Sequence, residues 1–387
     1  MRIPVRPLAA LAALGGLVVL SGCARAAAAS WQDAGTTAPA SVTSPVTVTE
    51  PADGATKVST ATEISFTAPK GTATTVTLAD ASGGTVTGAP RPDGSAWVPA
   101  TQLRYDTAYT ATVSANGTTK KVSFTTMSRP GSLVRVSTPL GDGAVYGVAM
   151  PLVFSFGRAV PRDQRAAVER RMFVTSTPPQ VGTWNWFSDT EVHYRSMQWW
   201  QPGTKLSVRL ATGGLPLGNG VYGAADLTID ASIGDKLVMS TDNATHLMTV
   251  AQNDQVIRTI PISLGKPSKP SSSGNLVIMT KNQSEVFSST DPGDSYSETV
   301  YWTQRLTWGG QYIHAAPWSV ADQGHRNVSH GCTNMSTENA KWLYGITHIG
   351  DPVTVKGTQV HVAWGNGWTD WNVSWDEYQK GSALYHG

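Results

Sequence analysis

The chain has 387 residues, with 29 Lys and Arg against 27 Asp and Glu and a formal net charge of +2. That balance, with no basic run and no basic stripe at helical spacing, excludes a nucleic-acid binder. The length suggests two to four domains. Gly, Pro, Thr and Val are plentiful and amphipathic helical patterns are scarce, so the chain reads as mostly β.

Residues 1–22 read as a secretory signal peptide: two arginines, an apolar run, then small residues. The apolar stretch from Pro7 to Leu20 is too short for a comfortable membrane span. It ends in Leu20-Ser21-Gly22-Cys23, which resembles a bacterial lipobox. Cys23 is therefore the expected lipidation site, and the protein is expected outside the cytoplasm, anchored to the membrane by lipid. Residues 23–45 are rich in Ala, Thr, Ser and Pro and read as a flexible tether.

Residues 46–128 hold short alternating runs such as "EISFTA", "TTVTLAD" and "KKVSFTTM". Asp53-Gly54, Gly83-Gly84, Asp93-Gly94 and Asn116-Gly117 supply the turns. That spacing predicts a β-sandwich, with Phe66, Trp97, Tyr109 and Phe124 in its core. Arg129-Pro130-Gly131 reads as a hinge. Residues 129–232 form a second β-rich block with one short helix started by Pro161. Residues 233–357 begin with two or three hairpin-linked strands, turning at Asn253-Asp254. A long polar, Gly/Pro-broken stretch from Asn282 follows and reads as a lid loop. "GQYIHAAPW" reads as a strand. "MSTENAKWLYGI" is a helix capped by Ser336 or Thr337. "DPVTVKG" closes the block. Residues 358–387 are rich in Trp and are expected to pack on that third block.

Cys332 is the second of only two cysteines. With Cys23 lipidated, it is the one free thiol, in a compartment that favours disulfides. A lone cysteine is often a small buried hydrophobe, but the neighbours in "SHGCTN" point to a reactive thiol. An imidazole activates a thiol by taking its proton. His330, at i−2, shares a side with Cys332 if the segment is extended. His314, on the preceding strand, can approach from across the sheet. His325 is a third imidazole, in a polar loop. An activated thiol is expected to alkylate at pH 6–7, below the ordinary range of about 8.5. The amides of Gly331 and Cys332 are positioned for an oxyanion hole. His193, His246, His348 and His361 lack a partner pattern. No spacing resembles a metal site, and no cofactor is expected.

The pattern H-x14-S-H-G-C-T-N, from His314 to Asn334, resembles the signature of L,D-transpeptidases with a YkuD-like catalytic domain. "GTWNWFSDTEVHYRSMQWWQPGTKLSV" and "YTATVSANGTTKKVSFTT" resemble two immunoglobulin-like domains of actinobacterial members. "WGNGWTDWNVSWDEYQKGSAL" resembles their C-terminal subdomain. The resemblance covers nearly all of the chain after the tether. It implies Cys332 as nucleophile and His314 as its activating base, oriented by the backbone carbonyl of Ala315, where the family usually has Ser. It places His330 and Gly331 on the oxyanion side. Tyr296 is the implied lid tyrosine, Trp318 a pocket aromatic, and Ser329 and Asn334 polar contacts to the donor peptide. Asp291 stands where lids usually carry an aromatic. The implied partners are peptidoglycan stem tetrapeptides as donor and acceptor, with carbapenem β-lactams as inhibitors. The implied product is a 3→3 cross-link. A sortase-like or papain-like peptidase fits the order of His and Cys poorly. A wall-binding lipoprotein with a relict site is the remaining alternative.

Overall fold

The structure is a computed structural model that describes residues 46–290, 292–293 and 295–387. The expected signal peptide, Cys23, the tether and Asp291 lie outside the described residues. Among the described residues, no helix is long and apolar enough to cross a membrane.

The first block is a two-sheet sandwich of four and five strands. Its strands alternate as their sequences do. In Ala108–Ala115, Tyr109, Ala111, Val113 and Ala115 are buried and the residues between them face outward. Phe66, Trp97, Tyr109 and Phe124 all lie in its core. Tyr109 and Phe124 stack with centroids 5.7 Å apart. The second block packs two four-stranded sheets, with a small three-stranded sheet at one end. Its helix, Arg162–Glu169, starts after Pro161, whose fixed φ suits a helix start. Ala61 of the first sandwich and Val277, Met279 and Trp368 further along join the second block's core.

Among the described residues, ten strands build the third block. They are β1 (Leu237–Asp242), β2 (Leu247–Gln252), β3 (Gln255–Pro261), β4 (Ser272–Val277), β5 (Thr280–Ser289), β6 (Tyr296–Arg305), β7 (Tyr312–Ala315), β8 (Thr333–Met335), β9 (Pro352–Lys356) and β10 (Val360–His361). One sheet runs β3-β2-β1-β9-β4-β10 and the other β5-β6-β7-β8. Asn253 and Asp254, both at positive φ, make the β2–β3 turn. The helix Thr337–Ile346 is capped by Ser336, whose hydroxyl accepts from the Asn339 amide.

The expected lid loop is instead a hairpin. β5 and β6 pair in antiparallel register from Thr280 with Arg305 to Ser289 with Tyr296. Its packed face mixes Glu285, Phe287 and Thr303 while its exposed face carries Val286 and Tyr301, so apolar and polar residues do not alternate cleanly and the strands look like loop in sequence.

The Trp-rich tail does more than expected. It packs on the third block, through Asn372 on Asn275 and Asn366 on the Gly309 amide, and also deeply on the second. The Trp371 indole N–H donates to Ala149 O at 2.8 Å. Arg195 lies over the rings of Tyr378 (4.4 Å) and Trp371 (4.5 Å). Fully buried His193 sets Nδ1 3.1 Å from both Asp370 oxygens and Nε2 3.1 Å from Glu191. Asp370 also accepts from the Tyr378 hydroxyl at 2.9 Å. His193 therefore has partners, but Asp370 lies 177 positions away.

Candidate active site

β7 and β8 run parallel, pairing Ile313 with Thr333, His314 with Asn334 and Ala315 with Met335. Paired residues of adjacent strands point the same way and successive residues point oppositely. Ile313, Ala315 and Met335 accordingly enter the core. His314 and Asn334 face the other side, as do Tyr312 and Cys332, one step from this ladder. Bridges from Ser263 to Asn334 and from Gly265 to Ser329 tie the Cys332 segment to the chain after β3.

On that face lies a cavity of about 350 Å³, lined in part by Tyr296, His314, Trp318, Ser329, His330, Cys332 and Asn334. Cys332 is 8% exposed. His314 Nδ1–H donates to Ala315 O at 2.9 Å, which leaves the Nε2 lone pair free to take a proton. Trp318 is 6.1 Å from His314 between ring centroids, and Tyr296 is 5.1 Å from His330. The Ser329 hydroxyl donates to Cys332 O at 2.7 Å, closing the turn. Asn334 Nδ2 donates to Ser319 Oγ at 3.2 Å, while its buried Oδ1 has no partner.

Two geometric expectations change, and the polar-loop reading of His325 holds. Gly331 has φ +122°, so residues 330–332 are not extended. His330 and Cys332 reach the same cavity through a glycine kink rather than by strand alternation. The Gly331 amide donates to Ser329 Oγ at 3.1 Å, and among the described residues no acceptor takes the Cys332 amide. His325 sits exposed in the turn after Asp322 and does not line the cavity.

Electrostatics change the resting state. Burial pushes the Cys332 thiol up to about 12, opposed by a hydrogen bond from the Tyr312 backbone. Burial also pushes the His314 imidazole down to about 4, opposed by its bond to Ala315. Both groups are neutral at pH 7. The thiol lies 3.5 Å from Gly310 O, and among the described residues no hydrogen bond joins it to His314. The activated thiol expected at pH 6–7 is therefore not the resting form; proton transfer has to accompany substrate binding.

Sequence reasoning missed several neighbours. The Phe287 ring meets His314 edge-on at 5.4 Å and Tyr312 at 4.6 Å. Tyr312 donates its hydroxyl to Glu285 Oε1 at 3.3 Å. Alternation within "EVFSS" was the available signal for Glu285 and Phe287; nothing local tied them to His314. A wider cleft of about 1190 Å³ lies between the two sandwiches, where Glu63 pairs with Arg91 and Arg171. No thiol lines it. No group of His, Cys, Asp and Glu among the described residues is arranged to hold a metal ion.

A buried thiol and an oriented imidazole on one wall of a cavity are the apparatus of thiol-dependent acyl transfer. Residues 55–216 match the bacterial Ig domain family, and residues 237–355 match the L,D-transpeptidase catalytic domain family. L,D-transpeptidase 2 of Mycobacterium tuberculosis (strain CDC 1551 / Oshkosh) is 34% identical over 345 residues, covering 86% of this chain and 83% of that protein. L,D-transpeptidase 1 of Mycobacterium tuberculosis (strain ATCC 25618 / H37Rv) is 37% identical over 222 residues, covering 56% of this chain and 82% of that protein. A solved L,D-transpeptidase in complex with imipenem is 35% identical, with a TM-score of 0.50, over 59% of this chain and 100% of that one. The chain belongs to the L,D-transpeptidase family, a family of acyl-transferring enzymes.

Proposed function

We propose that this enzyme forms 3→3 cross-links between peptidoglycan stem peptides, outside the cytoplasm, with Cys332 as nucleophile. The observation that carries the reading is His314, pinned to Ala315 O and diagonal to Cys332 on one sheet face. As Sγ attacks the carbonyl of the third residue of a donor tetrapeptide, His314 Nε2 takes the thiol proton. The proton passes to the leaving D-Ala and a thioester remains. The side-chain amine of a second stem then attacks that thioester. The new C–N bond replaces C–S, and a proton returns to sulfur through His314. The Cys332 amide, free of acceptors, stabilises the oxyanion. Tyr296, Trp318, His330, Ser329 and Asn334 bound the donor, with the unpartnered Asn334 Oδ1 receiving a peptide N–H.

Carbapenems present a strained carbonyl to the same thiol and acylate it. Lipid on Cys23 anchors the chain, and the two sandwiches hold the catalytic block away from the membrane. The test is mass spectrometry of products from a disaccharide-tetrapeptide. Dimer plus free D-Ala is expected, and both vanish in Cys332→Ala. Tripeptide without dimer would assign an L,D-carboxypeptidase; no product at all would overturn the reading.

A further inference from the structure

Tyr312 stands beside Cys332 with an opposite charge on each side. Glu285, on the hairpin, accepts the Tyr312 hydroxyl on Oε1 and, on Oε2, the Thr303 hydroxyl at 3.0 Å and the Asn282 amide at 3.3 Å, all neutral donors. Arg305, the strand partner of Tyr312, sets its guanidinium 5.5 Å from the Tyr312 ring and 5.1 Å from the Trp308 ring. Two of its five N–H groups hold the carbonyls of Thr307 (3.0 Å) and Trp308 (2.9 Å); the rest stay available. Glu285 and Arg305 are both half-buried. Among the described residues neither forms an ion pair, with each other or with any third group. The loop between Arg305 and Tyr312 carries Gly310, whose carbonyl lies against the sulfur. Tyr312 and Glu285 stand apart from the cavity that holds Tyr296, Trp318 and His330.

We infer that Glu285 and Arg305, with the Tyr312 ring as floor, form the subsite that recognises the acceptor. Their ligand is an amino-acid centre with an ammonium and a carboxylate on one carbon. Glu285 takes the ammonium and accepts one proton from it, which frees the amine to attack the thioester, and Arg305 takes the carboxylate. A charge that is half-buried and lacks a counter-ion is costly to keep; a zwitterion supplies both counter-ions at once. The amine end of a diamino acid in a second stem has this chemistry, and so does a free D-amino acid. Water has neither charge, so the subsite favours transfer over hydrolysis.

This inference rests on the acyl-transfer reading above, and the experiment separates the two. The purified protein is given a disaccharide-tetrapeptide donor with either D-methionine or D-methionine amide as acceptor. D-Ala release and exchanged product are followed by mass spectrometry. Wild type is expected to use D-methionine at least tenfold better than its amide, by kcat/KM. Arg305→Gln erases that preference. Glu285→Gln raises the acceptor KM about tenfold or more and shifts product toward tripeptide, with the rate of imipenem acylation as internal control. Glu285→Asp, which keeps the charge, recovers part of the KM loss. Variants with wild-type acceptor KM and preference would overturn the subsite. So would variants whose acylation falls as far as their acceptor use, which would mark a structural role near the thiol. A wild type that releases no D-Ala sinks the acyl-transfer reading itself.

Discussion

At the level of single residues, the site stores its reactivity in neutral form. A thiol pushed up to about 12 and an imidazole pushed down to about 4 both resist ionisation for one reason, burial. A neutral buried pair spares the folded protein two buried charges, and an incoming carbonyl triggers the transfer. Iodoacetamide alkylation of the free enzyme is therefore expected to show no inflection between pH 6 and 7 and to climb only in alkaline buffer. Imipenem acylation, with His314 as the proposed base, is expected to proceed at neutral pH and to fall roughly a hundredfold or more in His314→Gln. An alkylation plateau already reached at pH 7 would show a resting ion pair instead. Gly331 contributes through its backbone. A Cβ there would meet nothing closer than Pro270 O at 4.0 Å, yet φ is +122°. That conformation costs a side-chain-bearing residue roughly 1–3 kcal/mol. Gly331→Ala is expected to slow imipenem acylation about tenfold, read by intact mass against time.

At the level of elements, the β5–β6 hairpin reaches over the nucleophile. Its Phe287 fills the angle between His314 and Tyr312, so it limits the tilt of the His314 imidazole. Aromatic pairs of this kind are worth about 0.5–1.5 kcal/mol beyond burial. Phe287→Ala is expected to lower acylation up to about tenfold and leave the melting temperature nearly unchanged, because the residue is only half-buried. A large drop in melting temperature would instead make Phe287 part of the block's framework. β7 and β8 contribute differently. Their inner-face residues Ile313, Ala315 and Met335 lock the register that sets His314 against Asn334. A slip of one residue would turn both side chains into the core.

At the level of the whole molecule, the tail clamps the second sandwich to the catalytic block. The His193 proton is the centre of that clamp. Burial opposes its charge, but Asp370 and Glu191 more than offset this and raise it from 6.5 to about 9. The folded protein holds this proton more tightly than the unfolded chain. The contribution is fully present below pH 6.5 and is lost as pH rises through 9; it amounts to roughly 3 kcal/mol. Wild type is expected to lose several degrees of melting temperature between pH 6.5 and 9.5. His193→Gln should melt lower and stay flat across that window; a parallel decline in both would assign the loss to other groups. Cys23→Ala is expected to move the protein from the membrane fraction to the soluble one without changing its turnover in vitro. Retention of the variant in the membrane fraction would rule out lipid on Cys23.

Local physics made much of this chain legible. Alternating strands with Gly turns marked the first sandwich, since one buried face imposes a period of two. Pro161 and Ser336 marked helix starts, because backbone N–H groups there need no helical partner or take a nearby hydroxyl. The His-x14-Ser-His-Gly-Cys spacing pointed to thiol chemistry and to its family. Other features depend on residues distant in the chain. The hairpin was hidden because its packed face is partly polar, with Glu285 and Thr303, and its exposed face carries apolar Val286 and Tyr301. Asp370 meets His193 across 177 positions, and Glu285 meets Tyr312 across 27; no window of sequence spans either pair. The neighbours of Cys332 and its burial pull its protonation state in opposite directions. An adjacent imidazole favours thiolate and burial favours thiol, and burial exists only once the sheets have closed around the sulfur.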